Sequence, residues 1–114
     1  MESETAILSF SALAQSTRLD VFRLLVTHEP QGLAAGEIAR ALAVPQNTMS
    51  SHLAILARAG LVISERRGRS IIYRAGLAHL GGVVEFLLQD CCAGQAGLCV
   101  SPMAIRKKRP RAAV

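Results

Sequence analysis

The chain has no tryptophan, one tyrosine and three phenylalanines among its 114 residues, so aliphatic side chains must build whatever core it has. It lacks any apolar run approaching the ~20 residues that span a bilayer, which argues against a membrane partner. A secretory signal begins basic, whereas Met1-Glu2-Ser3-Glu4 is acidic, so a cytoplasmic protein is expected. There is no C-x-x-C, no phosphate-binding loop and no histidine beside a cysteine. An enzyme is therefore not expected, nor any catalytic residue or catalytic cofactor. At 51% hydrophobic residues the chain is too apolar to be disordered throughout. Its length suits one small domain that buries roughly two-thirds of its unfolded surface.

What is present is unevenly charged. The net charge is +5, yet residues 1–99 hold eight arginines and eight acids and are neutral. The excess comes from Arg106, Lys107, Lys108, Arg109 and Arg111. Within the neutral body, residues 46–74 carry five arginines against Glu65 alone, a local balance of +4. The flanks 1–45 and 75–99 are each −2. One cationic segment in a neutral body fits an anionic polymer better than general solubility does.

Hydrophobic spacing predicts helices. Ile7, Phe10, Leu13 and Ala14 mark an amphipathic helix over 4–14. Ser16-Thr17 offers a cap for a second, with Leu19, Phe22, Leu25 and Val26 as its apolar stripe and Pro30 and Gly32 closing it. A third covers about 35–42, with Ile38, Ala39 and Leu42 inward, and Val44-Pro45 breaks it. A fourth runs from about 46 to 59 and stops at Gly60. The period then falls to two: Leu61–Glu65 and Ser70–Tyr73 read as a hairpin whose tip is Arg66-Arg67-Gly68-Arg69. A final helix over about 77–91 bears Leu77, Leu80, Val84, Leu87 and Leu88. Gly81-Gly82 inside it signals either a break or close packing against another helix. The expected fold is mainly α with a small β-hairpin, a winged helix-turn-helix. The domain occupies 1–92, followed by a cysteine-containing segment and basic tail over 93–114, with disorder expected beyond Pro102.

The fourth helix carries the chemistry. Met49, Leu53 and Leu56 form its inward stripe, and Asn47, Ser50, Ser51, Ala54 and Arg58 the opposite one. A helix entering the major groove needs such a small, mostly uncharged face, because bulk would hold it off the base edges. Gln46 and Asn47 stand at its N-terminus, where amides can read adenine and the helix dipole favours phosphate. Arg66, Arg67 and Arg69 would meet backbone or minor groove. A polar stripe alone is usually a solvated face; the basic hairpin after it makes double-stranded DNA the expected partner.

Several of these segments resemble the ArsR/SmtB family of bacterial repressors. Leu13-Ala14-Gln15-Ser16-Thr17-Arg18-Leu19 is similar to its L-x-x-x-x-R-L start. Residues 46–56, QNTMSSHLAIL, resemble its recognition helix, Q-x-x-V-S-x-H-L-x-x-L. Ala59–Val62 and Arg67–Arg74 resemble its wing. The resemblance spans about residues 6–90. It implies a homodimer through the first and last helices, bound to an inverted-repeat operator and released by an effector. By position it makes Gln46, Asn47, Ser50 and Ser51 base and phosphate contacts. His52 is either a further contact or a packing histidine.

Effector sites differ across the family. The arsenic site before the recognition helix needs C-x-C, where this chain has Ala34 and Gly36. Of the zinc site on the last helix only His79 remains, since Leu77, Asp90 and Ala93 replace the other ligands. One histidine cannot hold zinc, so His79 is read as structural. All three cysteines, Cys91, Cys92 and Cys99, fall within nine positions. In a reducing compartment such clustering points to metal binding or redox chemistry rather than a structural disulfide. Soft thiolates select soft ions, and zinc prefers a fourth ligand that is not nearby. Trivalent arsenic takes three sulfurs, and As(OH)3 loses three waters on forming As(SR)3 with no net charge to stabilise. The trio also resembles the C-terminal arsenic site of one ArsR subgroup. The sequence therefore points to As(III) as effector, with Sb(III) or methylarsenite as variants and sulfurs from one subunit or two. A thiol redox switch, or a sensor of another soft metal ion, stays open.

Overall fold

The computed structural model describes residues 1–89 and opens on two helices, α1 (Ser3–Leu13) and α2 (Ser16–Thr27). The cap of α2 is Gln15, one residue before the expected Ser16-Thr17. Gln15 has the extended backbone of a cap, and its side-chain oxygen accepts from the Arg18 amide at 2.8 Å. The buried residues of α2 are Val21, Phe22 and Leu25, while Leu19 and Val26 of the expected stripe stay exposed. Both registers have helical spacing, and only the neighbouring elements choose between them. In α1 the inward residues are the small Ala6, Ser9 and Ala12, whereas Ile7 and Phe10 are 64% and 40% exposed. Ile7, Leu8 and Phe10 of α1 thus face away from this chain's own core, while Leu13 packs against it.

After α2 the chain passes through β1 (Leu33–Ala34) into α3 (Ala35–Leu42), turns, and continues as α4 (Gln46–Arg58). Glu37 accepts from the Ala34 amide at 2.8 Å, which satisfies one free donor at the start of α3. The helix-to-helix turn is closed by two bonds, Val44 N–H to Ala39 O and Ala43 N–H to Arg40 O. Pro45 then fixes the start of α4 as the Val44-Pro45 break predicts. At the other end of α4, Gly60 has φ +81, and the Leu61 amide reaches back to the Leu56 carbonyl at 3.0 Å. This is the left-handed helix terminus that favours glycine.

Strands β2 (Val62–Arg67) and β3 (Ser70–Ala75) form the expected hairpin, in the register Val62 opposite Ala75 and Arg67 opposite Ser70. The sheet has three strands, because β1 pairs antiparallel with β3 through Leu33–Tyr73 and Ala34–Ile72. Two residues are too few to show a period of two, so sequence spacing could not reveal β1. Gly76 joins the sheet to α5 (Leu77–Leu88); its N–H donates to Leu61 O at 2.8 Å, and a Cβ there would overlap the Gly60 carbonyl. Helix α5 runs unbroken through Gly81-Gly82. No side chain of the described chain packs on Gly81, and only the Met1 side chain approaches Gly82. The expected break is therefore absent, and no other helix of the described residues packs against the pair.

The core lies where α2, α3 and α4 meet the base of the sheet, and Val21, Leu25, Ile38, Met49, Leu53 and Leu56 are at most 1% exposed. At ~1.5–3 kcal/mol for each large side chain buried, this trihelical unit holds most of the apolar stabilisation. Helix α5 contributes one buried residue, Val83, and leaves Leu77 and Leu87 exposed. The boundary expected at 92/93 and the tail beyond Pro102 lie outside the described residues.

Candidate nucleic-acid interface

The two faces of α4 separate as its sequence predicts. Met49, Leu53 and Leu56 anchor it in the core, and Gln46, Asn47, Ser50, Ser51, Ala54 and Arg58 are exposed. Pro45 offers no side-chain cap, so the Gln46 and Asn47 amides at the start of the helix remain available to an acceptor from outside. Asn47 Oδ1 accepts from the Thr48 amide at 2.9 Å, which orients its side chain at the outer end of the helix. Gln46 lies near the backbone of Gly36 at the start of α3. The result is a rigid, lightly charged face.

His52 sits differently, half-buried at the side of α4, with Nδ1 3.4 Å from Arg18 Nη1. Arg18 also donates through Nε to the Ala12 carbonyl at 2.7 Å. It therefore connects the end of α1, the start of α2 and the recognition face. Arg18 was visible in the sequence only as part of a family motif; its role depends on three elements that meet in space.

The hairpin tip brings Arg66, Arg67 and Arg69 to the surface, yet not equivalently. Arg67 Nη2 pairs with Glu65 at 2.7 Å and Nη1 donates to the Gln31 carbonyl at 3.0 Å. Arg66 and Arg69 have no side-chain partner among the described residues. At the base of the wing Arg74 holds Glu29 through two bonds of 2.8 and 3.4 Å, and Glu29 also accepts from the Ala75 amide at 3.1 Å. The Arg74 hydrogen bond keeps the Glu29 carboxyl below the ordinary carboxylate range, against the opposing effect of partial desolvation. The same bond holds the Arg74 pKa above its usual value. Glu29 gave no signal in the sequence, because its partner lies 45 residues away.

A helix-turn-helix domain family matches residues 13–65, which spans α2 through most of β2. The transcriptional activator HlyU of Vibrio cholerae is 29% identical over 90 residues, covering 79% of this chain and 81% of that protein. The repressor SmtB of Mycobacterium tuberculosis is 48% identical over 48 residues, covering 42% of this chain and 36% of that protein. Among solved structures, the homodimeric winged helix-turn-helix DNA-binding domain of Mb0332 from Mycobacterium bovis has a TM-score of 0.61 at 27% identity, covering 77% of this chain and 82% of that one. An ArsR-like transcriptional regulator from Rhodococcus is 31% identical with a TM-score of 0.65, covering 74% of this chain and 76% of that one. The chain belongs to the ArsR/SmtB family. It is a DNA-binding transcriptional regulator with a winged helix-turn-helix.

Within this ArsR/SmtB chain the first two effector positions are occupied by other things. Ala34 is the cap of α3 and Gly36 lies in its first turn, so neither offers a ligand atom. His79 Nε2 lies 2.8 Å from the fully buried Ser9 hydroxyl, which also faces the Thr5 and Ala59 carbonyls. His79 joins α1 to α5 as a packing residue, in keeping with the structural reading of the sequence. Among the described residues no group of three or more His, Cys, Asp or Glu side chains is placed to hold a metal ion. Cys91, Cys92 and Cys99 lie outside the described residues. No helix among the described residues is long and apolar enough to cross a membrane.

Proposed function

We propose that this regulator is a homodimeric repressor that leaves an inverted-repeat operator when trivalent arsenic binds Cys91, Cys92 and Cys99. The observation that carries the effector reading is the confinement of every cysteine in the chain to nine positions directly after α5. Three thiolates suit a pyramidal ion of that softness, with antimony(III) and methylarsenite as chemically related guests. Support for the dimer comes from the apolar residues that α1 and α5 leave exposed, Ile7, Phe10, Leu77 and Leu87, and from the homodimeric Mb0332 neighbour. Support for repression comes from the SmtB relative; HlyU, named an activator, makes the sign of regulation part of the test.

The proposed DNA contacts are Gln46, Asn47, Ser50 and Ser51 on α4, with His52 behind them, and the basic tip of the wing. Arsenic joined to residues that follow α5 would move that helix against its dimer partner and misalign the two recognition helices. A coupling of ~1–3 kcal/mol changes operator affinity between fivefold and 150-fold. The test is an anisotropy titration of the full chain on DNA from upstream of its own coding sequence, in reducing buffer. Arsenite is expected to raise ultraviolet As–S absorbance and release the DNA from wild type, and to do neither with Cys99→Ser. Release by peroxide but not arsenite would replace this reading with a thiol redox switch. A promoter–reporter pair with and without the protein settles repression against activation.

A further inference from the structure

We infer that Arg67 is a positioning residue that holds the wing at its angle, leaving Arg66 and Arg69 as the phosphate contacts of the hairpin. This rests on the wing meeting DNA. The β2–β3 register divides the hairpin into two faces. Ile63, Glu65 and Arg67 share one with Ser70, Ile72 and Arg74; Ser64 and Arg66 share the other with Ile71 and Tyr73. On the first face the charges close into a ring. Arg67 bonds Glu65 at 2.7 Å, Glu65 lies 3.6 Å from Arg74, and Arg74 grips Glu29 at 2.8 Å. Glu29 and Gln31 belong to the turn after α2, and the Gln31 carbonyl accepts from Arg67 at 3.0 Å. The ring thus begins and ends on one turn and ties both strands of the wing to it.

Two consequences follow from charge. Glu29, Glu65, Arg67 and Arg74 sum to zero, so the ring adds little to the field felt by DNA. If Arg67 swung to a phosphate it would give up two bonds and leave Glu65 with a weaker partner next to the polyanion. Arg66 and Arg69 surrender nothing of the kind, having no side-chain partner among the described residues. Each exposed ion pair is weak alone. Held together with backbone at Gln31 and Ala75, they set a direction rather than a large stabilisation.

The experiment measures binding of the full chain to a fluorescently labelled mixed-sequence duplex across a range of salt. Each phosphate contact contributes about 0.9 to the slope of log K against log salt. Arg66→Ala and Arg69→Ala are each expected to lower that slope by about this amount. Arg67→Ala should leave the slope unchanged while affinity falls about threefold, the scale of one exposed pair. Arg67→Lys keeps the charge without the two-pronged guanidinium, and is expected to behave like the alanine variant. Glu65→Gln removes an acid from the wing, so charge alone predicts tighter binding; the ring predicts a fall of about threefold. A slope reduction in Arg67→Ala, full binding by Arg67→Lys, or tighter binding by Glu65→Gln would each overturn the inference. Unchanged slopes in Arg66→Ala and Arg69→Ala would instead overturn the reading of the wing as a DNA contact. Circular dichroism melts of each variant separate loss of the ring from loss of the fold.

Discussion

At the scale of single residues, polar side chains here join segments that sequence order keeps apart. Glu29 shows the energetic consequence. Its folded-state pKa is lowered by Arg74, so it stabilises the fold fully above the ordinary glutamate value of 4.5. That stabilisation is lost as pH falls through the lower folded value. Glu29→Gln is therefore expected to reduce stability at neutral pH and to flatten the decline in acid. Urea midpoints for both proteins between neutral and acid pH check this; parallel acid limbs would show that Glu29 is not the group responsible. Ser9 and His79 make a similar join between α1 and α5, and Arg18 between α1 and α4.

Among the elements, α4 separates anchoring from reading. Leu53 is 1% exposed, and truncating such a core leucine costs about 2–5 kcal/mol. Leu53→Ala should thus lower the thermal midpoint sharply. Asn47 is exposed, and Asn47→Ala should leave the melt nearly unchanged while weakening a preferred duplex by ~1–3 kcal/mol relative to a mismatched one. Competition binding alongside the melts checks the pair. The division was legible in the sequence because Met49, Leu53 and Leu56 repeat at helical spacing between Pro45 and Gly60. Strand β1 was not, since its pairing with β3 depends on a partner about 40 residues distant.

For the whole molecule, the α1 and α5 surfaces matter most. A chain whose Ile7 is 64% exposed and whose α5 buries only Val83 has apolar area that a second copy would cover. Ile7→Asp is expected to shift the protein from dimer to monomer in sedimentation and to weaken DNA binding, while the α2–α4 core keeps its melting cooperativity. A monomeric wild type at micromolar concentration would remove the basis for two aligned recognition helices.

The local pattern alone determined the five helices and the β2–β3 hairpin, the turn between α3 and α4, the two faces of the recognition helix and the basic wing. Each of these follows from neighbours within one or two turns of chain, where spacing and stop residues act directly. Tertiary structure alone decided which stripe of α1 and α2 turned inward, that a third strand joined the sheet, and that Arg67 and Arg74 were engaged while Arg66 and Arg69 stood free among the described residues. Those outcomes depend on what lies across a contact from distant sequence, and burial and charge pairing act on distance in space rather than along the chain.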